Sequence, residues 1–424
     1  MAYRDLRIDK RRANYQEMKF RSKCVFQGKK ILIASQCAGF VGGVERHIYQ
    51  TAEMLRRNGA EIWGCFLDHS RAEADFNKAF DHLCEPGLLP LEEFDLACLN
   101  KVMALDFIQR FLTIYQDCAT LWVHDHDYYC PRACKTFPFS DRNCRRGYHR
   151  LWCGLCGMVQ SPHVWPGGLG RTLENRFTVF TDRLRLLQRF PKVVVLSSYM
   201  RDNLLLNGFR PEHLHVILPY VPTGPARPVA SPPKFPVVLF AGSMWRGKGC
   251  DLFLKILARL KRPFQARIVG DGKERASLER QASRLGLGDR VTFTGWVLEP
   301  EKEYRNADLL ISPGRWQEPL GLVPAEAAAS GLPVVGFRLG GIEESVVDGE
   351  NGFLVPEGDV EQAAQKVDNL LDNPKLRREM GMIGRQMAAQ HFSEAHFLKG
   401  FARLLASSEN GKNHTSGSLP PVSP

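Results

Sequence analysis

Short apolar runs, each leading into a glycine-bearing or hydroxyl-bearing loop and then an amphipathic stretch, recur on both sides of a proline-rich segment. Ile31, Leu32 and Ile33 lead towards Gly39, Gly42 and Gly43, and Val193, Val194 and Val195 lead into Ser197 and Ser198. Beyond the prolines, Val238, Leu239 and Phe240 lead into Gly242 and Gly249, and Leu309, Leu310 and Ile311 into Pro313 and Gly314. A run that is apolar at every position, rather than at alternate ones, is buried on both faces, as in a parallel strand covered by helices. Strand, loop, helix and strand make a βαβ unit, and its repetition predicts an α/β protein. Residues 222–236, with Pro222, Pro225, Pro228, Pro232, Pro233 and Pro236, mark the boundary between two such halves. The expected organisation is a Rossmann-like domain over 28–221, a linker over 222–236 and a second Rossmann-like domain over 237–391. Residues 392–406 read as a terminal helix, 407–424 as a disordered polar tail, and 1–27 as a flexible basic leader outside the core. Residues 70–115 read as mixed amphipathic and loop segments with no sharp chemistry.

The chain has 424 residues and a formal net charge of +11. Its first thirty residues hold ten Lys or Arg against Asp5, Asp9 and Glu17, so most of the excess lies there. No apolar run approaches the ~18 residues that span a bilayer, and the leader lacks the apolar centre of a secretory signal. The expectation is a cytoplasmic protein whose basic leader contacts an anionic membrane surface. A specific nucleic-acid partner is not expected, because the excess charge is not spread over a folded face.

Residues 314–331 concentrate the chemistry. Pro319 disfavours the helical conformation at Glu318, Pro324 suits a first helical turn, and Ala327, Ala328 and Ala329 carry a short helix towards Gly331. Glu318 is expected in the loop before the helix and Glu326 in its opening turns. The amides of Leu320, Gly321, Leu322 and Val323 are then unpaired at the helix tip, where free N–H groups and the dipole attract phosphate. Two carboxylates beside a phosphate site repel it unless they bind hydroxyl groups, so the combination suits a nucleotide sugar. Lys248, between Gly247 and Gly249, is the sort of cation that neutralises a diphosphate leaving group, and Arg246 stands two residues before it.

In the first half, Gly42 and Gly43 precede a helical pattern and let backbone approach a ligand. Leu121, Trp122 and Val123 lead to His124, Asp125, His126 and Asp127, a titratable cluster at the carboxyl end of a strand, where open α/β sheets bind ligands. His124 and His126 both qualify for a role there. Cys130, Cys134, Cys144, Cys153 and Cys156 follow. Cys153 and Cys156 form a single Cys-x2-Cys knuckle, which Cys130 and Cys144 complete as a candidate structural zinc set, with Cys134 spare. Lone thiols or a redox pair are the alternatives. Phe177, Phe180, Arg183, Arg185, Arg189 and Phe190 suggest a helix with a basic face.

In order and spacing these residues resemble the retaining glycosyltransferases of family 4. Glu318 and Glu326 match the Glu-x7-Glu motif, and Gly42, Gly43, Val44, Glu45 and Arg46 look like the first-loop signature. Lys248 and Gly249 match the Lys-Gly of the phosphate clamp, while His124, Asp125, Cys130, Pro131 and Arg132 resemble a His-Asp then Cys-Pro-Arg subgroup. The resemblance spans 30–406 and is strongest over 235–359. It implies the GT-B fold: two Rossmann-like domains facing a cleft, with acceptor in the first, donor in the second, and a terminal helix crossing back. It implies Glu326 on the ribose hydroxyls, Glu318 on the donor sugar, and His124 near the reacting centre. Lys248, Arg246 and the amides of Leu320, Gly321 and Leu322 would take the diphosphate, with Gly42 and Gly43 facing it and Val297 beside the base. Ser243 stands where the family has Arg, with Arg246 close enough to substitute.

The resemblance implies no cofactor for the chemistry, so zinc would be structural only. The expected partners are a nucleotide-diphosphate sugar and a saccharide or lipid-linked acceptor, in polysaccharide or glycolipid biosynthesis. A catalytically impaired nucleotide-sugar-binding protein is the alternative reading of Ser243. A sugar-nucleotide epimerase shares the α/β pattern but needs a Gly-x-Gly-x-x-Gly loop after its first strand, which is not present.

Overall fold

The computed structural model describes residues 25–40, 42–68, 74–137, 140, 142–160, 175–224, 235–297 and 299–412. The leader to residue 24, the linker from 225 to 234 and the tail beyond 412 lie outside them.

Two sheets form, and every strand pairing in them is parallel. The first contains β1 (Lys30–Cys37), β2 (Glu61–Asp68), β3 (His82–Leu83), β4 (Leu96–Asn100), β5 (Ala119–Val123), β6 (Lys192–Val195) and β7 (Leu214–Val216), in the order β3-β2-β1-β4-β5-β6-β7. The second contains β8 (Val237–Ala241), β9 (Gln265–Val269), β10 (Val291–Gly295), β11 (Leu309–Ser312), β12 (Val334–Phe337) and β13 (Gly352–Val355), in the order β10-β9-β8-β11-β12-β13. The continuous apolar runs are the inner strands: β4, β5 and β6 are buried at every position. β4 corrects the reading of 70–115 as structurally indistinct, since it pairs with β1 and β5 at the middle of the sheet.

Strand order reverses between β1 and β4 in the first sheet and between β8 and β11 in the second. Such a switch point opens a crevice at the carboxyl ends of the strands, where the two following loops part. The loops after β1, β4 and β5 on one side, and after β8 and β11 on the other, are therefore the ones placed to hold a ligand.

The helix Glu394–Lys412 sends Phe397, Leu398, Phe401, Leu404 and Leu405 into one cluster with Ile31, Trp122 and Val194 of the first domain. It runs beyond the expected end at 406. Phe26 is fully buried in the same cluster, its ring 6.5 Å from that of Phe401, so the leader's last residues belong to the core after all. An apolar residue beside a basic run gave no periodicity by which to tell it from the leader. Leu320, Ala325 and Ala329 join this cluster from the second domain, so the apolar seam is continuous between the domains.

Candidate active site

The two switch points face one another across a cavity of about 740 Å³. The first domain lines it with Phe40, Gly43, Arg46, His47, Lys101, His124 and Asp125; the second with Lys248, Tyr304, Trp316, Glu318, Leu320, Gly321, Leu322 and Glu326.

Pro319 keeps Glu318 outside the helix, which begins at Leu322 after Gly321 and runs to Ala329. Its first-turn amides have no intrahelical acceptors. The Lys248 ammonium donates to Glu318 Oε1 at 2.6 Å and lies 5.2 Å from the Trp316 ring centroid. Glu326 sits one turn into the helix, where its Oε2 accepts from the Tyr304 hydroxyl at 2.7 Å. Burial raises the Glu326 pKa, while the Tyr304 hydroxyl and Arg46 oppose the rise. Across the cavity Gly43 opens the helix Gly43–Arg57, and its Cα hydrogen faces Leu322. Gly42, the residue preceding that helix, caps it without a side chain.

His124 is buried at the end of β5, its Nε2 2.8 Å from Asn100 Oδ1. Asn100 Nδ2 points to the carbonyl of Ala34 at 3.4 Å, which leaves Oδ1 for the ring. An amide oxygen only accepts, so Nε2 carries the proton and Nδ1 is an acceptor. Burial, then His47 and Lys101, hold the His124 pKa well below the usual value, and the ring is neutral. Asp125, also on the wall, has its pKa raised to about 6 by burial and by Asp127. Asn100 escaped the sequence reading with its strand. So did Lys101, which takes φ +42 as β4 ends; an asparagine and a lysine after a short apolar run carry no motif.

Four residues singled out in the sequence, Gly42, His126, Arg246 and Val297, are not on the cavity wall. His126 is fully buried and away from the cavity wall; its Nε2 donates to the Gln317 carbonyl and its Nδ1 meets the Tyr129 hydroxyl, each at 2.5 Å. It is spent on an inter-domain contact. Arg246 is exposed and off the wall, whereas Lys248, the last residue of the turn Arg246–Lys248, lines it. Val297 likewise is off the wall; its side chain packs against the cluster that contains Leu239 and Leu310, and the contact expected of its loop is through backbone groups.

The cysteines are engaged separately. Cys153 Sγ accepts from the His149 amide at 3.3 Å, Cys134 Sγ lies 3.2 Å from Thr136 Oγ1, and Cys156 Sγ lies 3.8 Å from Arg132 Nη1. Cys130 packs against the core and Cys144 donates its amide to the Lys135 carbonyl at 2.6 Å. Among the described residues, no three His, Cys, Asp or Glu side chains are grouped to hold a metal ion. The thiols as arranged do not fit zinc.

Burial also pulls His47 and His126 down to about 4. A histidine whose folded pKa lies below its unfolded value of about 6.5 binds more protons when unfolded, so stability is full above that pH and falls as pH drops towards 4. Each ring contributes roughly 3 kcal/mol to this slope. Urea midpoints are expected to fall steadily from pH 6.5 to pH 4, and His47→Leu to flatten the profile.

Residues 41–224 match the family model described as Glycosyltransferase Family 4, and residues 226–387 that of Glycosyl transferases group 1. The chain is 32% identical over 192 residues to the lipopolysaccharide core biosynthesis glycosyltransferase LpsE of Rhizobium meliloti (strain 1021), covering 44% of this chain and 56% of that one. It is 36% identical over 168 residues to the GDP-mannose-dependent alpha-(1-6)-phosphatidylinositol monomannoside mannosyltransferase of Mycolicibacterium smegmatis (strain ATCC 700084 / mc(2)155), covering 37% and 44%. The chain thus spans about half the length of these relatives. Among solved structures, that of Anabaena Alr3699/HepE in complex with UDP superposes with a TM-score of 0.65 over 89% of this chain and 100% of that one. At 20% identity that likeness shows the fold alone. One glycosyltransferase family model thus lies over each domain, Glycosyltransferase Family 4 over the first and Glycosyl transferases group 1 over the second, and the fold beneath both is GT-B.

Proposed function

We propose that this chain moves a glycosyl group from a nucleoside-diphosphate sugar to a hydroxyl of a saccharide or lipid-linked acceptor, with retention and without metal in the chemistry. The observation that carries the reading is Glu318, Lys248 and the Leu322 helix start lining one cavity opposite His124. Relatives named for lipopolysaccharide and phosphatidylinositol mannoside synthesis, and a UDP-bound structure of the same fold, support it. Glu326, steadied by Tyr304, takes the ribose hydroxyls. Lys248 and the first-turn amides receive the diphosphate as charge grows on it. Glu318 supports positive charge at the anomeric carbon, and His124 Nδ1 accepts from a hydroxyl of the donor sugar. The bond from anomeric carbon to phosphate oxygen breaks as the acceptor oxygen bonds on the same face, and the leaving phosphate takes the acceptor proton.

A panel of UDP-, GDP-, ADP- and TDP-sugars with saccharide and lipid acceptors, run with chelator present, tests this. Product of retained anomeric configuration, read by NMR, is expected; an inverted product or strict dependence on added metal would sink the mechanism. A second reading, a binding protein without turnover, draws on Ser243 and Arg246 both being off the cavity wall, which leaves Lys248 as the nearest cation of the clamp. Donor binding with no product from any acceptor would favour it.

We also place the chain on the cytoplasmic side against an anionic bilayer. Leu151, Trp152 and Leu155 are exposed on the helix Arg150–Gln160, beside exposed Arg145, Arg146 and Arg150. Apolar and basic groups together suit a surface of anionic headgroups. No helix among the described residues is long and apolar enough to cross a membrane. Trp152→Glu is expected to cut sedimentation with phosphatidylglycerol vesicles about tenfold, because the indole's apolar surface no longer enters the bilayer interface; undiminished sedimentation would remove this surface from the proposal.

A further inference from the structure

Gln317 adjoins the proposed donor-sugar carboxylate, and nothing in the transfer chemistry uses it. It lies on the loop between β11 and the Leu322 helix, yet it is only 3% exposed. The first domain supplies its polar partners. Its Nε2 donates to the Lys135 carbonyl at 2.8 Å and the Cys144 carbonyl at 3.3 Å, while its Oε1 accepts from the Tyr199 hydroxyl at 2.9 Å. Two carbonyls on one side and a hydroxyl on the other fix which way the amide faces. Its backbone carbonyl accepts from His126. The residues around it are tied to the same domain: Asn143 Nδ2 donates to the Arg315 carbonyl at 3.1 Å, and the Ser197 hydroxyl donates to the Pro319 carbonyl.

The socket is held in an unusual backbone form. Ala133 takes φ +56 and Lys135 φ +50, a region that non-glycine residues rarely adopt and that persists where surrounding contacts demand it. The Lys135 carbonyl so presented is the one that receives Gln317. Glu318 and His124 stand on different domains, so no covalent framework fixes their separation. A contact between the domains must do so, and the loop that carries Glu318 is where that contact is densest in hydrogen bonds.

We propose that Gln317 is a positioning residue. Its amide, seated in the cysteine-bearing segment of the first domain, fixes Glu318 relative to His124 and holds the two domains in the transfer geometry. The segment from Cys130 to Cys144 thereby has a use that needs no metal. The inference rests on the glycosyl-transfer reading for its kinetic part only.

The test uses Gln317→Ala, Tyr199→Phe and the double variant in the full chain. Gln317→Ala is expected to lower kcat roughly ten- to hundredfold by misplacing Glu318. Its dissociation constant for UDP or GDP, whichever the wild type binds, should stay within about threefold, since the nucleotide's own contacts are untouched. Tyr199→Phe removes one hydrogen bond and no packing volume, and should lower kcat about threefold; the double variant should be no slower than Gln317→Ala. Small-angle scattering of the unliganded protein should show a larger radius of gyration for Gln317→Ala than for wild type. Unchanged kcat, nucleotide affinity falling in step with kcat, or a full additional factor from Tyr199→Phe in the double variant would each overturn the proposal. So would identical scattering curves. Scattering needs no turnover, so a wild type that transfers no sugar would count against the transfer reading and leave the positioning contact to be judged on its own. A misfolded Gln317→Ala leaves Tyr199→Phe to decide the kinetic part.

Discussion

Glu318→Ala is expected to lower kcat/KM for glycosyl transfer by roughly 10²–10³-fold, the loss found when one preorganised electrostatic group is removed from an active site. The reasoning starts from the 2.6 Å contact between Glu318 and the Lys248 ammonium. In the proposed reaction a donor diphosphate draws Lys248 to itself, and the carboxylate so released is left with charge facing the sugar. As the anomeric carbon loses its phosphate it becomes positive, and that charge is what the carboxylate favours. Glu318→Gln keeps the hydrogen bonds and removes the charge, so it should fall almost as far as alanine. Lys248→Ala should cost a similar factor. The double variant should fall short of the product of the two, because residues acting as a unit are not additive. Steady-state kinetics with the preferred donor supply the measurement. A Glu318→Ala enzyme with wild-type kcat/KM would remove the carboxylate from the mechanism.

The sequence made the second-domain wall of this cavity legible and left much of the first-domain wall hidden, for physical reasons. Pro319 and Pro324 act on their own neighbours, so the place where the helix starts, and the sides on which Glu318 and Glu326 fall, follow from local stereochemistry alone. Which histidine faces the cavity does not. His124 and His126 lie two apart on one turn, and only the packing of Gln317 from a distant part of the chain decides that His126 is taken. β4 was hidden because Leu96, Ala97, Cys98, Leu99 and Asn100 include none of the β-branched or aromatic residues that mark β5 and β6 as strands. With it went Asn100, which sets the proton of His124. Arg246 and Val297 are a different matter: a resemblance says which residues stand near a ligand along the chain, whereas the turn at 246–248 and the packing at 297 decide which side chains line the cavity. The cysteine spacing suggested a tetrahedral set, and the fold does gather several of these thiols, but around a lysine and without the grouping that holds a metal ion among the described residues. Burial of Lys135 near Cys130, Cys144 and Cys153 supplies a cation among them.

Gly340→Ala is expected to cost stability and about 10²-fold in kcat at once, because that glycine forms part of the floor under the Glu318 loop. Gly340 takes φ +65, and a Cβ there would collide with the Glu318 carbonyl. Gly341, beside it, donates its amide to that same carbonyl at 2.8 Å, and a Cβ on it would strike the Pro319 carbonyl. The loop is pinned from the opposite side by Gln317 and Ser197. A methyl group pushing from below therefore has no slack to use except at Glu318 itself. The backbone strain alone should lower unfolding free energy by roughly 1–3 kcal/mol. Gly358→Ala separates that strain from the collision: Gly358 takes φ +78, but a Cβ there meets nothing within 4 Å. Both variants should lose stability in urea, Gly340→Ala the more because it bears the collision as well as the strain, and only Gly340→Ala should lose turnover. Equal turnover in the two would mean that the loop yields without moving its carboxylate, and that the floor beneath Glu318 has no part in placing it.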